Sequence, residues 1–143
     1  MDVIRYINLK PKKGKQYIDS DCIILHHYKA NNPNRKGGIY SISLNQELSK
    51  EIAMNGLKYM RVAENTIIWE LYFEFIKDEV SDAIPVRPHS KNSTMITLYS
   101  KQLIDFLEKR FLIPEEEAKA YPLRISRKDL KSDGTIVIVV SNK

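Results

Sequence analysis

The chain carries one set of local instructions twice. "YSISLNQELSKEI" (40–52) and "TMITLYSKQLIDFL" (94–107) each read as a strand, a polar break and a short helix. Ile42 and Leu44 align with Ile96 and Leu98 and, with one inserted residue, Leu48 and Ile52 align with Leu103 and Leu107. Apolar residues at period two mark a strand, and a spacing of four marks one helical face. Asn45 and Ser100 stand where a helix needs a capping oxygen. Downstream, Met60-Arg61-Val62 matches Leu123-Arg124-Ile125, and Thr66-Ile67-Ile68 matches Thr135-Ile136-Val137. Upstream, "CIILHHY" (22–28) and "AIPVRP" (83–88) are extended segments ahead of polar turns. The unit is ββαββ, and features recurring in one order point to a duplication.

Faces this short cannot be covered within about 55 residues, so the two units need each other. The expectation is an α+β, mostly β fold: two ββαββ pseudo-repeats around one pseudo-twofold core, forming a shared barrel or sheet. Residues 1–20 form a basic N-terminal arm, 21–76 the first unit, 77–82 an acidic linker and 83–143 the second unit. Ile42, Leu44, Leu48, Ile52, Val62 and Ile67 are the expected core of one unit, with Ile96, Leu98, Leu103, Leu107, Ile125 and Ile136 equivalent in the other. "TIIWELYFEF" reads as a single strand with Ile67, Trp69, Leu71, Phe73 and Phe75 inward. Its other face carries Glu70 and Glu74, which would repel a phosphate backbone. Glu64-Asn65 is the expected turn of the first hairpin, and "RKDLKSDG" is a longer, basic loop in the second. Pro114 and Glu115-Glu116-Glu117 suggest an extra helical turn.

Charge is unevenly spread over the 143 residues. The formal net charge is +5, yet residues 1–38 hold eight cations against three acids, 39–80 four against seven, and 81–143 eleven against eight. "KPKKGK" (10–15) is the densest cluster, of a kind that supplies sequence-independent affinity for phosphates. No apolar run of about 18 residues exists to span a membrane. "MDVIRYINLK" lacks the apolar core of a signal peptide. The single cysteine, Cys22, excludes an intramolecular disulfide and a cysteine-cluster metal site. The expected location is the cytoplasm.

"IYSISLNQELSKEI…GLKYMRVAENTIIWEL" resembles the unit of the AbrB-type swapped-hairpin proteins, and "TMITLYSKQLIDFL…YPLRISRKDLKSDGTIVIVV" does so more loosely. Two units in one chain are similar to the MraZ proteins, in which both halves of the barrel come from one polypeptide. The likeness covers residues 21–140 as topology and apolar spacing. The usual Gly-Asp turn after the helix is reduced to Gly56, and no Asp-x-x-x-Arg motif is present. The resemblance implies a swapped-hairpin-like barrel, DNA contact from the paired hairpins, and a tandem chain that is a monomer by default, with a dimer as the alternative because exposed edge strands invite pairing. The matching positions are Lys29, Arg35 and Lys36 in the first unit and Arg87, His89 and Lys91 in the second. "CIILHHYKANNPNRKGGIYSISLNQELSKEI" also resembles the positive-cofactor type of single-stranded DNA-binding protein, which closes its unit after the helix.

Catalytic chemistry has little support in the residues. His26 and His27 are adjacent, so in a strand they face opposite sides and cannot form one ligand pair. Cys22 has no activating partner in sequence, and no nucleotide-binding loop or nucleophile elbow occurs. No cofactor or metal is expected. The reading is a non-catalytic DNA-binding module, regulatory or architectural. A single-stranded DNA-binding protein and a protein-interaction or assembly protein of a phage or mobile element are the alternatives. The candidate surface is Lys10, Lys12, Lys13 and Lys15 of the arm with Lys29, Arg35, Lys36, Arg87, His89 and Lys91. Tyr28 and Tyr40 are candidates for base stacking.

Overall fold

The computed structural model describes residues 18–28, 38–88 and 95–142. The elements run β1 (Cys22–Tyr28), β2 (Ile39–Ser43), α1 (Gln46–Met54), β3 (Tyr59–Asn65), β4 (Glu70–Ile76), β5 (Ile84–Pro85), β6 (Arg87–Pro88), β7 (Ile96–Tyr99), α2 (Lys101–Phe111), a 3-10 helix (Glu115–Ala120), β8 (Tyr121–Leu130) and β9 (Ile136–Asn142). The strands form one antiparallel sheet in the order β5-β3-β4-β9-β8-β1-β2-β7-β6. Only Val86 separates β5 from β6, yet they pair with β3 and β7 near opposite ends of that order. The sheet therefore curls into a nearly closed, barrel-like shape.

Alternation fills the inside. Leu71, Phe73 and Phe75 of β4 stand opposite Val140, Ile138 and Ile136 of β9. Leu25, Ile42 and Leu98 form a row across β1, β2 and β7. One cluster joins these rows to Leu48 and Ile52 of α1 and to Leu103, Ile104 and Leu107 of α2, so both halves of the chain share a core. Burying each such side chain contributes about 1.5–3 kcal/mol.

The caps stand where the sequence places them. Asn45 Oδ1 accepts from Leu48 N at 2.7 Å, and Ser100 Oγ accepts from Leu103 N at 3.1 Å. After α1, Gly56 takes φ +65°, a conformation that costs glycine little. The helical turn expected after Pro114 is present as the 3-10 helix.

Three expectations fail for physical reasons. Ile67 is 93 % and Trp69 65 % exposed, neither in the core nor in a strand. Asn65 Oδ1 accepts from the backbone N–H groups of Ile67 and Ile68 at 3.0 and 3.3 Å. That side chain offers the backbone an alternative to the ladder, so β3 runs through Asn65 and the turn is Thr66–Trp69. Val62 is 36 % exposed because β5 flanks β3 only at Tyr59 and Met60. In the second hairpin β8 continues to Leu130. The "RKDLKSDG" loop shrinks to a turn in which Lys131 N donates to Thr135 O and Gly134 N to Lys131 O. Ile125 is half-buried against the core. Among the described residues, no helix is long and apolar enough to cross a membrane.

Candidate nucleic-acid interface

Paired residues in a sheet share a face, so the register of β1, β2, β7 and β6 sorts their side chains. The inner rows include His27–Tyr40 and Leu25–Ile42–Leu98. The outer rows are Tyr28–Ile39, then His26–Ser41–Tyr99, then Ile24–Ser43–Thr97–Arg87. Tyr99 is 55 % and Tyr28 37 % exposed on that outer face, and Arg87 is exposed at its edge. His26 Nδ1 donates to the Lys119 carbonyl of the 3-10 helix at 3.0 Å. Its ring meets Tyr28 edge-on, with centroids 6.4 Å apart.

Of the candidate residues, Tyr28 and Arg87 lie on this face. Tyr40 is turned inward: its ring lies 4.6 Å from His27, centroid to centroid, and Lys101 Nζ sits 5.7 Å from its centroid. His27 Nδ1 donates to Glu108 at 2.9 Å. The two histidines thus bond to opposite neighbours, as their adjacency requires. Lys10, Lys12, Lys13, Lys15, Lys29, Arg35, Lys36, His89 and Lys91 lie outside the described residues. Tyr99 escaped the sequence reading: Ile96, Thr97 and Leu98 are all buried and Tyr99 alone in β7 is exposed, so alternation within the strand does not mark it.

The points where the basic segments join the fold are described. The arm enters at Ile18, beside α1, where Asn45 Nδ2 donates to the Ser20 and Cys22 carbonyls. Residues 89–94 return at the same end, where Ile96 N donates to Ser49 Oγ. Residues 29–37 leave and return at the far end of β1, where Ser100 N donates to Tyr40 O. At about 3.3 Å per residue, the two ends are about 20 Å apart.

Charge divides along the same lines. The described residues contain 13 Lys and Arg against 17 Asp and Glu, a net of −4. The remaining segments contain ten cations and one acid, a net of +9. Four of the described cations pair with carboxylates: Arg61 with Glu74 at 2.6 Å, Arg127 with Glu70 at 3.3 Å, Arg110 with Glu64 at 3.0 Å and Lys128 with Glu51 at 2.7 Å. Glu70 and Glu74 are therefore compensated, which corrects the expectation of a repelling face on β4. Tyr72 Oη donates to Glu70 at 2.9 Å, and that bond holds the phenol above its usual range.

Two further features sit elsewhere. An open groove of about 610 Å³ between β3 and α2 is lined by Met60, Val62, Ile84, Leu103 and Phe106, with Glu64 and Asp82 among its polar residues. Beyond it the Thr66–Trp69 turn exposes Ile67, Ile68 and Trp69, and Leu112 is exposed after α2. Arg110 ties α2 to that turn, donating to the Trp69 carbonyl at 3.0 Å with its guanidinium 4.3 Å from the Trp69 ring centroid. Near the start of β1, Asp19, Asp21 and Cys22 bring two carboxylates and a thiol within 4.8 Å, donor types that could hold a metal. The buried thiol already donates to Asp21 at 3.4 Å.

Comparison with protein-family models, curated proteins and solved structures finds no match for this chain.

Proposed function

We propose that this protein is a non-catalytic DNA-binding module of two ββαββ units with exchanged hairpins, gripping phosphates through its basic segments. Strand pairing supports the exchange. β1, the first strand of one unit, pairs with β8 of the other, and β5 pairs with β3 in the reciprocal direction. The helices cross over similarly, α1 meeting β8 through Glu51 and Lys128, and α2 meeting β3 through Arg110 and Glu64. A chain that completes this pairing internally has no need of a second copy, and a monomer is the expected state.

The charge partition carries the functional reading. A β-framework of net −4 repels a polyanion, whereas residues 1–17, 29–37 and 89–94 hold nine cations against one acid, a net of +8, and attract one, so binding would be concentrated there. The test is fluorescence anisotropy on labelled DNA across a salt series. Each lost phosphate contact should lower the slope of log affinity against log salt by about one, so Arg35→Ala with Lys36→Ala should lower it by about two. A parent that binds no DNA at moderate salt, or a double variant with the parental slope, refutes the reading.

The exposed Ile67, Ile68, Trp69 and Leu112 beside the groove favour a second reading, a protein-interaction module. Under it, DNA binding is absent and a Trp69→Ala variant loses its partner while keeping its fold.

A further inference from the structure

We propose that the outer face of β1, β2 and β7 is a stacking platform for single-stranded DNA, with Tyr28 and Tyr99 as its aromatic contacts. The inference rests on the nucleic-acid reading and names the form of DNA taken.

Neither tyrosine belongs to the core cluster. Both stand on one face and are open to solvent, while their strand neighbours Leu25, Ile42 and Leu98 are fully buried. Tyr28 is braced by the edge-on ring of His26, itself held by the Lys119 carbonyl. Between the tyrosines lie Ile39 and His26, both half-buried, and Ser41, which is buried, as is Thr97 beyond Ser43, so no exposed side chain separates the two rings. Tyr99 is two strands across from Tyr28 and two residues along, a separation of about 12 Å from strand spacing and rise.

A platform of this kind has use for base faces and little for base edges. In a duplex the faces are occupied by neighbouring bases, and proteins read edges from the grooves. In a single strand the faces are free, and aromatic side chains stack on them whatever the sequence. In the chain, Tyr28 directly precedes the segment that holds Lys29, Arg35 and Lys36.

The experiment is a pair of anisotropy titrations, one with labelled oligo-dT and one with a matched duplex, on the parent, Tyr99→Ala, Tyr28→Ala and Tyr99→Phe. The parent should bind oligo-dT more tightly than the duplex. Each alanine variant should lose about 5- to 100-fold on oligo-dT with its salt slope intact, and Tyr99→Phe should keep the parental affinity. Tyr99 is more than half exposed, so its variants should melt with the parent, which circular dichroism checks. A parent preferring duplex, or alanine variants binding oligo-dT like the parent, overturns the platform while leaving the basic-segment reading intact. A parent that binds neither probe overturns both.

Discussion

Asn45 joins three parts of the chain, and its replacement gives a worked test of the architecture. The side chain is 1 % exposed. Its Oδ1 caps α1 by accepting from Leu48 N at 2.7 Å, and its Nδ2 donates to the Ser20 and Cys22 carbonyls at 3.0 and 3.1 Å. A cap of this type is worth about 1 kcal/mol. The buried bond to the Cys22 carbonyl adds about 1 kcal/mol, and the part-buried bond to Ser20 adds up to about as much. Asn45→Ala should therefore cost up to about 3 kcal/mol, a large share of the roughly 5–15 kcal/mol of a typical domain. Ser100→Ala removes the α2 cap bond to Leu103 and should cost only about 1 kcal/mol. Asn45→Asp separates the contributions. It keeps a good capping acceptor but turns a carboxylate oxygen towards two carbonyl oxygens, so it should be no more stable than Asn45→Ala. Urea unfolding at constant m-value measures all three. If Ser100→Ala costs as much as Asn45→Ala, or if Asn45→Asp unfolds with the parent, the tie from α1 to the start of β1 carries no weight.

Two further outcomes follow from the turns. Asp133 accepts from Thr135 N at 3.0 Å, and this bond holds its carboxyl below the usual range. Its contribution to stability is complete above the ordinary carboxylate range and is lost as pH falls through the lowered folded value. Asp133→Asn should shrink the acid limb of the stability–pH curve, and an unchanged limb would count against the assignment. Ile67→Lys should change stability by no more than about 0.5 kcal/mol, whereas Phe73→Ala in the core should cost about 3–5 kcal/mol; a large loss from Ile67→Lys in thermal unfolding would put that residue back inside.

Much of the element order was legible because its causes are local. The cap at Asn45 acts three residues away on Leu48, and the period-two pattern of β2 and β7 lies within each strand. The turn at Thr66–Trp69 was misread for an equally local reason. Asn65 was recognised as a turn residue, but its Asx bonds place the turn after it, where apolar pattern suggested more strand. Of the candidate interface, the basic segments were visible as charge. The tyrosine face was not, because which side of β7 faces out depends on the strands beside it.

What the chain determines alone is therefore its units: strand, cap and helix repeated in order, and a positive charge confined to a few segments. These follow from interactions a few residues long and from composition. The tertiary structure decided how the units close. Arg110 and Glu64 are 46 residues apart, Arg127 and Glu70 57, and Lys128 and Glu51 77, yet all are paired. Closure also put Tyr99 outside and Tyr40 inside, and left Val62 uncovered where β5 ends. Burial is a property of the assembled surface, and no local pattern records which neighbour arrives from a distant part of the chain.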